Sequence, residues 1–200
     1  MQQNTPEWIQ ARVGYVTASM FPVIKKSGGG WTGTANNYLY ELVGEHMTGQ
    51  QAGSARSKAM DWGNNYEDEA RNTYIFETGR DVAEKGFYPH PVERWIGASP
   101  DGGLTAEEGL VEIKCPYTTR EHVRTLLKKT VPPQYIDQVQ GQLWVTGKQW
   151  CDFVSYDPRM KDKGLVIVRV DRDEAVIEEL ADRIIKFRDL VLKQLEKANG

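Results

Sequence analysis

The sequence predicts an α/β (α+β) fold in which a mixed central β-sheet is flanked by helices. Three short β-rich runs, at residues 110–115, 150–156 and 165–170, alternate with segments of helical periodicity. A long amphipathic helix is predicted at 173–198, where apolar side chains recur on one face. Strands that are separated by both helices and short turns typically form a mixed sheet with helical layers.

The remaining elements follow from local helix and turn signals. The spacing of apolar side chains predicts a helix at 66–76, and Gly79 stands where a helix-ending glycine is expected. Glu67 and Asp68 fit the first turn of that helix, where the helix dipole favours acids. The other predicted elements are strands at 81–88 and 94–98, a turn at 99–103, and helices at 119–129 and 132–145.

Length and composition predict a single domain that covers residues 1–200. The chain is 40% hydrophobic and 26% charged, as is usual for a globular protein. No apolar run reaches the length of about 18 residues that a membrane span requires. The polar N-terminus lacks the pattern of a secretory signal. These features predict a cytosolic protein with no membrane partner.

Cysteine and histidine are too sparse to build a metal site. Cys115 and Cys151 cannot form a disulfide framework or supply the four thiolates of an iron–sulfur cluster. The histidines His46, His90 and His122 are far apart and in no ligand spacing. We therefore expect two reduced cysteines and no histidine-built metal centre.

The charge balance gives a mixed signal about nucleic acid. The formal net charge is −3, whereas nucleic-acid-binding domains are commonly basic. Net charge does not describe how the charges are distributed. Arg120, Arg124 and Lys128 recur every four residues and form a basic stripe on a predicted helix, while acids are concentrated near the C-terminus. A solvated helix face is the alternative explanation of this stripe.

Two carboxylates and a lysine carry the main chemical signal. Glu112 and Lys114 point the same way because side chains alternate along a strand. A hairpin after the predicted turn would bring Asp101 beside Glu112. Carboxylate oxygens at short range suit Mg²⁺ or Mn²⁺, which assist the hydrolysis of phosphodiesters. A solvent-exposed cross-strand ion pair is the competing interpretation of Glu112 and Lys114.

Two further segments have a simple structural interpretation. Gln138, Gln140 and Gln142 lie beside the apolar stripe of the helix predicted at 132–145, and a solvated face explains them. Residues 27–30, Ser-Gly-Gly-Gly, are expected to link two helices, with a mobile ligand-gripping loop as the alternative.

Segments spread over nearly the whole chain resemble the phage lambda-type exonucleases of the restriction-endonuclease-like PD-(D/E)xK superfamily. The most informative are Ala-Ser-Pro-Asp-Gly at 98–102 and Val-Glu-Ile-Lys-Cys-Pro-Tyr-Thr-Thr-Arg at 111–120. The other matching segments are residues 8–19, 62–71, 135–147 and 156–164. Because the segments occur in order along the chain, the combined match is specific although each motif alone is weak.

The resemblance implies a metal site and two residues that act on water. Asp101, Glu112 and the main-chain carbonyl of Ile113 would bind one ion. Lys114 would serve the nucleophilic water, and Gln138 would help to position it.

The resemblance also implies outer contacts to a second ion and to DNA. Glu67 would help to hold the second ion. The residues implied in contacts with DNA or its phosphates are Arg12, Ser19, Met60, Arg120 and Tyr135. Met60 matches an apolar position that wedges between base pairs, and a buried place in the core is its alternative interpretation.

The implied activity is that of a Mg²⁺-dependent 5′→3′ exonuclease with two ions in each site, for which Mn²⁺ would substitute. It would digest one strand of linear double-stranded DNA from its ends to mononucleotides and leave a 3′ overhang. The family implies a toroidal homotrimer, a single-strand annealing protein as partner in recombination, and a phage or prophage gene acting in the bacterial cytoplasm. Two alternatives stay open: a structure-specific endonuclease of the same fold, and a non-catalytic protein that binds DNA ends.

Overall fold

The computed structural model describes residues 2–53, 57–84 and 86–200 of the chain. The helices are α1 Pro6–Arg12, α2 Gly33–Thr48, α3 Lys58–Thr78, α4 Thr119–Lys128, α5 Ile136–Thr146 and α6 Glu174–Ala198, with 3₁₀ segments at Ala18–Val23 and Pro133–Tyr135. The strands are β1 Val16–Thr17, β2 Lys26–Ser27, β3 Gly30–Trp31, β4 Val82–Ala83, β5 Tyr88–Pro89, β6 Ile96–Ala98, β7 Gly102–Leu104, β8 Gly109–Lys114, β9 Trp150–Tyr156 and β10 Leu165–Asp171.

A five-stranded sheet with the order β10-β9-β8-β7-β4 organises the fold. Strands β8 and β9 are parallel and the other neighbours are antiparallel, so the sheet is mixed, as predicted. The parallel pair requires a long crossover, which α4 and α5 provide between the end of β8 and the start of β9. A three-stranded sheet, β1-β6-β5, joins the N-terminal segment to the turn that precedes β7.

Alternating side chains of β8 pack on both faces of the central sheet. Val111 and Ile113 belong to an apolar cluster with Tyr74 of α3. Leu110 points the other way and belongs to a cluster with Val139 of α5. Helix α3 therefore covers one face of the sheet and α5 covers the other.

Helix α5 lies close to the 3₁₀ segment Ala18–Val23. A Cβ atom on Gly141 would come within 2.4 Å of the Phe21 ring, which is completely buried. Glycine at this position therefore allows α5 to pack more deeply than any larger residue would. The close packing of α5 is important because this helix carries Gln138 and Gln142, whose side chains reach β8.

The helix predicted at 66–76 is longer than expected. It begins at Lys58, after the Ser57 side chain that caps it. Glu67 consequently lies well inside the helix, so the assignment of Glu67 and Asp68 to a first turn is wrong. Gly63 and the two asparagines that follow it have low helix propensity, which explains why the sequence signal starts late.

Two predictions in the first half of the chain are wrong in detail. Residues 27–30 do not link two helices, because they belong to the β2–β3 hairpin, with Gly28 and Gly29 at positive φ angles of 59° and 84°. The strand predicted at 81–88 is divided between β4 and β5, which lie in different sheets. Lys85, within that range, lies outside the described residues.

In the second half of the chain, β8, β9, β10, α4 and α6 agree with the predicted ranges to within about one residue at each end. The helix predicted at 132–145 begins instead as the 3₁₀ segment and continues as α5. Gly79 ends α3 in a left-handed conformation, as predicted. None of the helices described is both long and apolar enough to cross a membrane.

Candidate active site

A hairpin brings two carboxylates together at the end of the central sheet. Asp101 directly precedes β7, whose Gly102 lies opposite Val111 of β8, and this register places Asp101 beside Glu112. Asp101 Oδ2 accepts a hydrogen bond from the Ile113 N–H at 2.6 Å. Both carboxylates are buried. The hairpin geometry is thus the one expected from the sequence.

Lys114 lies on the same side of β8 as Glu112. Its Nζ atom is 2.5 Å from Glu112 Oε1 and 5.4 Å from the centre of the Tyr135 ring. Glu112 is only 1% exposed, because α5 covers this face of the sheet. The interpretation of Glu112 and Lys114 as a solvent-exposed ion pair is therefore wrong. Such burial of a carboxylate requires partners, since an unpaired charge in the interior is very costly.

The glutamines of α5 are among those partners. Gln138 Nε2 donates to Glu112 Oε1 at 2.5 Å, and Gln142 Nε2 donates to Glu112 Oε2 at 2.5 Å. Gln140 is also buried and donates to the Asp171 carbonyl at 2.9 Å. The explanation of these glutamines as a solvated face is wrong, because each amide reaches a partner beneath the helix.

Gln142 is the residue of this site that sequence reasoning missed. It is 1% exposed and holds Oε2 of Glu112, while Gln138 and Lys114 hold Oε1. The two glutamines are separated by one helical turn, so their side chains reach the same carboxylate. That spacing, next to an apolar stripe, is the signal from which Gln142 could have been found.

Glu67 approaches the carboxylates from α3. Its Oε1 atom is 2.7 Å from Arg71 Nη2, and Arg71 also binds Asp68 and Glu84, each at 2.8 Å. Burial, followed by repulsion from Glu112, raises the pKa of Glu67 against the opposing effect of Arg71.

The site places several carboxyl groups close to one ammonium group, that of Lys114. Burial and then repulsion from Glu112 raise the pKa of Asp101 well above its ordinary value. Burial lowers the pKa of Lys114, but attraction to Glu112 and Asp101 outweighs this effect and leaves the pKa raised. Lys114 is therefore held as an ammonium, which donates hydrogen bonds and accepts none.

Asp101, Lys114 and Glu67, with Glu112 buried behind them, line an open cavity of about 600 Å³, which we call the carboxylate groove. Its lining includes Met60, Glu67, Asp101, Lys114, Tyr117, Glu121 and Tyr135. Met60 is 46% exposed, so the alternative that it is buried in the core is wrong. A larger cavity of about 900 Å³ lies between α3, α4 and the segment before β10, and it contains none of the predicted site residues.

The N-terminal segment is tied to the turn that carries Asp101. Trp8 Nε1 donates to Ser99 Oγ at 3.2 Å, and the Arg12 guanidinium lies 3.9 Å from the centre of the Trp8 ring. Burial lowers the pKa of Arg12, and its Nε atom is buried with no hydrogen-bond partner among the described residues. Ser19 is exposed and its hydroxyl is 3.3 Å from that of Thr17.

The predicted basic stripe lies on the exposed face of α4. Arg120 and Arg124 both pair with Glu121, at 3.2 Å and 2.8 Å, and Lys128 is exposed near the end of the helix. Because Glu121 lines the carboxylate groove, the two arginines lie at its rim.

The donor set fits a small divalent cation bound partly by water or phosphate. No group of three or more His, Cys, Asp or Glu side chains in the described ranges is arranged to hold a metal ion by itself. Mg²⁺, however, is commonly bound through only one or two carboxylates, with water and phosphate as its other ligands. Asp101, Glu112 and the Ile113 carbonyl supply such hard oxygens, and the mutual repulsion of the acids favours a cation between them.

Comparison with known proteins identifies the family. Residues 7–149, more than half of the chain, match the YqaJ-like viral recombinase domain. The chain belongs to the YqaJ-like viral recombinase family. This membership confirms the resemblance inferred from the motifs.

Solved structures of exonucleases have the same fold as this chain. The alkaline exonuclease LHK-Exo of Laribacter hongkongensis is 39% identical, with 98% of this chain and 96% of that chain aligned and a TM-score of 0.89. Its complex with dAMP is 40% identical over 97% of this chain and 96% of that chain, with a TM-score of 0.88. A phage-related exonuclease of Haemophilus somnus shares the fold at 17% identity, covering 93% and 96% of the two chains, with a TM-score of 0.69.

A curated relative is much longer than this chain. The uncharacterised protein R354 of Acanthamoeba polyphaga mimivirus is 29% identical over 165 residues, which are 76% of this chain and 29% of that protein. The chain therefore spans less than a third of the length of R354.

Replacing Gln142 by leucine should destabilise the protein because it leaves one buried oxygen of Glu112 without a donor. A hydrogen bond to a charged group contributes about 1.5–3 kcal/mol, so we expect Gln142→Leu to lower the free energy of unfolding by that amount at pH 7. Chemical denaturation measures the change. Gln140→Leu, on the same helix, is the control: it removes two hydrogen bonds, one to the Asp171 carbonyl and one from the Asp173 N–H, and should cost about 1 kcal/mol for each bond. A cost of Gln142→Leu below about 1 kcal/mol would contradict the assignment of Gln142 to Glu112.

Proposed function

We propose that this protein is a divalent-metal-dependent exonuclease that digests one strand of linear double-stranded DNA from its 5′ end. The observation that carries the proposal is the buried Asp101–Glu112 pair with Lys114 at the end of a paired hairpin, where Asp101 and Lys114 line the carboxylate groove. The 39% identity to an alkaline exonuclease over 98% of the chain supports it. Mononucleotides and a 3′ overhang are the expected products.

The carboxylates supply the metal-binding part of the proposed site. Asp101, Glu112 and the Ile113 carbonyl would hold Mg²⁺, or Mn²⁺ in its place, and Glu67 would contribute to a second ion. Such ions neutralise charge that develops on the phosphodiester and lower the pKa of a bound water. Arg71 pairs with Glu67 and so fixes the direction in which that carboxylate approaches the groove.

The other residues act on the water and the phosphate. Lys114, held as an ammonium, offers N–H donors to the attacking water or to a non-bridging phosphate oxygen. Gln138 offers its amide beside the same Glu112 oxygen, Oε1, that Lys114 contacts. In the proposed hydrolysis the water oxygen bonds to phosphorus and the bond to the 3′ oxygen of the terminal nucleotide breaks. A proton passes to that 3′ oxygen, and the next nucleotide retains the phosphate.

Several groups around the groove would bind the DNA end. The half-buried Arg12 side chain, whose Nε atom has no hydrogen-bond partner among the described residues, is suited to an anion such as the 5′ phosphate. Ser19 and Arg120 would add donors to phosphate. Exposed Met60 would separate the terminal base pair, and Tyr135 would line the path of the digested strand.

Digestion of linear duplex DNA tests the proposal directly. With each strand labelled separately, we expect nucleotide release from the 5′-terminated strand in Mg²⁺ and none in chelator. Glu112→Gln and Lys114→Ala should lower the rate by at least about 10²-fold, since each removes a group that acts on the reacting atoms. Lys148→Ala breaks a lysine–glutamate pair with Glu108 near the start of β8 and should keep the wild-type rate.

Other results of the same assay would favour the alternatives. Cleavage of closed-circular DNA would indicate an endonuclease of the same fold. Retention of DNA ends in a gel shift with Mg²⁺ or Mn²⁺, without any cleavage, would indicate a non-catalytic end-binding protein. Full activity in chelator or in Lys114→Ala would exclude the proposed mechanism.

The arginines of α4 should contribute to the salt dependence of DNA binding. Each phosphate contact contributes about 0.9 to the slope of log affinity against log salt concentration. We expect the double variant Arg120→Ala, Arg124→Ala to lower the slope by about 2 when binding is measured in chelator. Lys148→Ala should leave the slope unchanged. An unchanged slope in the double variant would mean that this face of α4 is only solvated.

We further propose a homotrimer that encloses DNA and cooperates with a single-strand annealing protein. The family resemblance supports this assembly. Light scattering at micromolar concentration should then give about three times the chain mass of 22.7 kDa. A monomer mass under these conditions would contradict the trimer.

A further inference from the structure

We propose that Arg159 is a positioning residue that clamps together the two walls of the carboxylate groove. One wall is the N-terminal part of α3, which leads to Glu67. The other is the segment 115–118, which directly follows Lys114. The effect on catalysis rests on the proposed nuclease function, whereas the structural clamp does not. Arg159 lies in the segment 156–164, which the proposed mechanism does not otherwise use.

Arg159 is itself fixed by a buried carboxylate. Its Nε and Nη2 atoms bind Asp157 Oδ1 and Oδ2 at 2.7 Å and 2.8 Å, and the Asp157 side chain is fully buried. The Asp157 N–H donates to the Gly164 carbonyl at 2.9 Å, which closes the loop after β9. A two-point contact of this kind fixes both the position and the plane of a guanidinium.

The remaining donors of the guanidinium hold the segment after β8. Arg159 Nη1 donates to the Tyr117 carbonyl at 3.1 Å, and Nη2 donates to the Pro116 carbonyl at 3.2 Å. These carbonyls lie two and three residues beyond Lys114. The chain that leaves the catalytic strand is thus fixed to the loop after the neighbouring strand, β9.

The flat face of the same guanidinium holds α3. The Cζ atom of Arg159 lies 4.5 Å from the centre of the Trp62 ring, which also packs edge-on against Tyr117 at 5.9 Å. Arg159 therefore contacts both walls at once, and Trp62 and Tyr117 contact each other. Stacking and bidentate binding together are properties of arginine that lysine does not reproduce.

This arrangement has a consequence for the carboxylates. Asp101 and Glu112 are fixed by the sheet, whereas Glu67 is fixed by α3. The position of Glu67 relative to the pair therefore depends on contacts between α3 and the sheet, and Arg159 provides one of them next to the groove. Small displacements of catalytic groups lower rates strongly, by about 10²-fold for 1 Å.

The experiment compares Arg159→Gln and Arg159→Lys with a matched control. Arg169 forms a similar cluster near the start of β9, where it binds buried Asp152 at 2.7 Å and lies 3.4 Å from the centre of the Trp150 ring. Arg169→Gln removes the Arg169 contacts but leaves Asp152 its hydrogen bond from Tyr74, and none of these residues lines the carboxylate groove. Hydrogen–deuterium exchange of the metal-free proteins and kcat and KM for linear duplex DNA are measured for all three variants at a temperature where each is folded.

We expect both Arg159 variants to exchange several-fold faster than wild type in residues 62–67 and 117–118. We expect kcat to fall by about 10- to 100-fold in both, with KM in Arg159→Lys within about twofold of wild type, because lysine keeps the charge but not the clamp. Arg169→Gln should show neither effect.

Three results would overturn the proposal. Unchanged exchange in the two segments would exclude the clamp. Wild-type kcat in Arg159→Lys, with a raised KM in Arg159→Gln, would make Arg159 a simple DNA contact. An equal loss of kcat in Arg169→Gln would indicate general loosening of the fold. If the wild-type protein does not digest DNA, the proposed function fails, and the exchange measurement alone decides whether the clamp exists.

Discussion

The site depends on the burial of one carboxylate, that of Glu112, between the central sheet and α5. A buried carboxylate is tolerated only where its oxygens receive hydrogen bonds or opposite charge. Here Gln138, Gln142 and Lys114 meet that requirement together. The carboxylate thereby fixes the rotation of α5 about its own axis, since only one face of the helix presents both amides. The same four side chains, those of Glu112, Lys114, Gln138 and Gln142, thus stabilise the buried carboxylate and position it beside the groove.

Close packing of backbone elements supports this arrangement. α5 reaches Glu112 because Gly141 lets the helix approach the 3₁₀ segment before β2, where a side chain would meet Phe21. The hairpin of β7 and β8 brings Asp101 to the same end of the sheet, and the Ile113 N–H holds its carboxylate there. Each element that carries a functional group is therefore placed by a contact that the rest of the fold also needs. Such sites are rigid because few of their parts can move independently.

The sequence predicted the parts of this structure that depend on local pattern. The alternation along β8 identified Glu112 and Lys114 as neighbours, and the turn before β7 placed Asp101 beside them. The sequence did not predict the burial of the glutamines, because their partner lies on a strand distant along the chain. The local sequence pattern predicts that these glutamines are exposed. They are buried because the crossover between β8 and β9 places α5 against the sheet. The packing of Trp8 on Ser99, which brings Arg12 close to the Asp101 turn, is another long-range contact without a local signal.

The structure shows how charged groups are distributed around the groove in a chain whose net charge is −3. At the carboxylate groove, Glu67, Asp101 and Glu112 outnumber the single ammonium of Lys114, and the arginines of α4 share their charge with Glu121. When these acids are ionised, a phosphate approaching these groups alone meets net negative charge, so the groove by itself disfavours the proposed substrate. One divalent cation between the carboxylates would cancel that local charge, and the second proposed ion would reverse its sign. Binding of the proposed ion and binding of DNA are then thermodynamically linked, because each favours the other through the same charges. With the proposed ion bound, the attraction for phosphate would be concentrated at the groove, which reconciles an acidic chain with the proposed action on DNA.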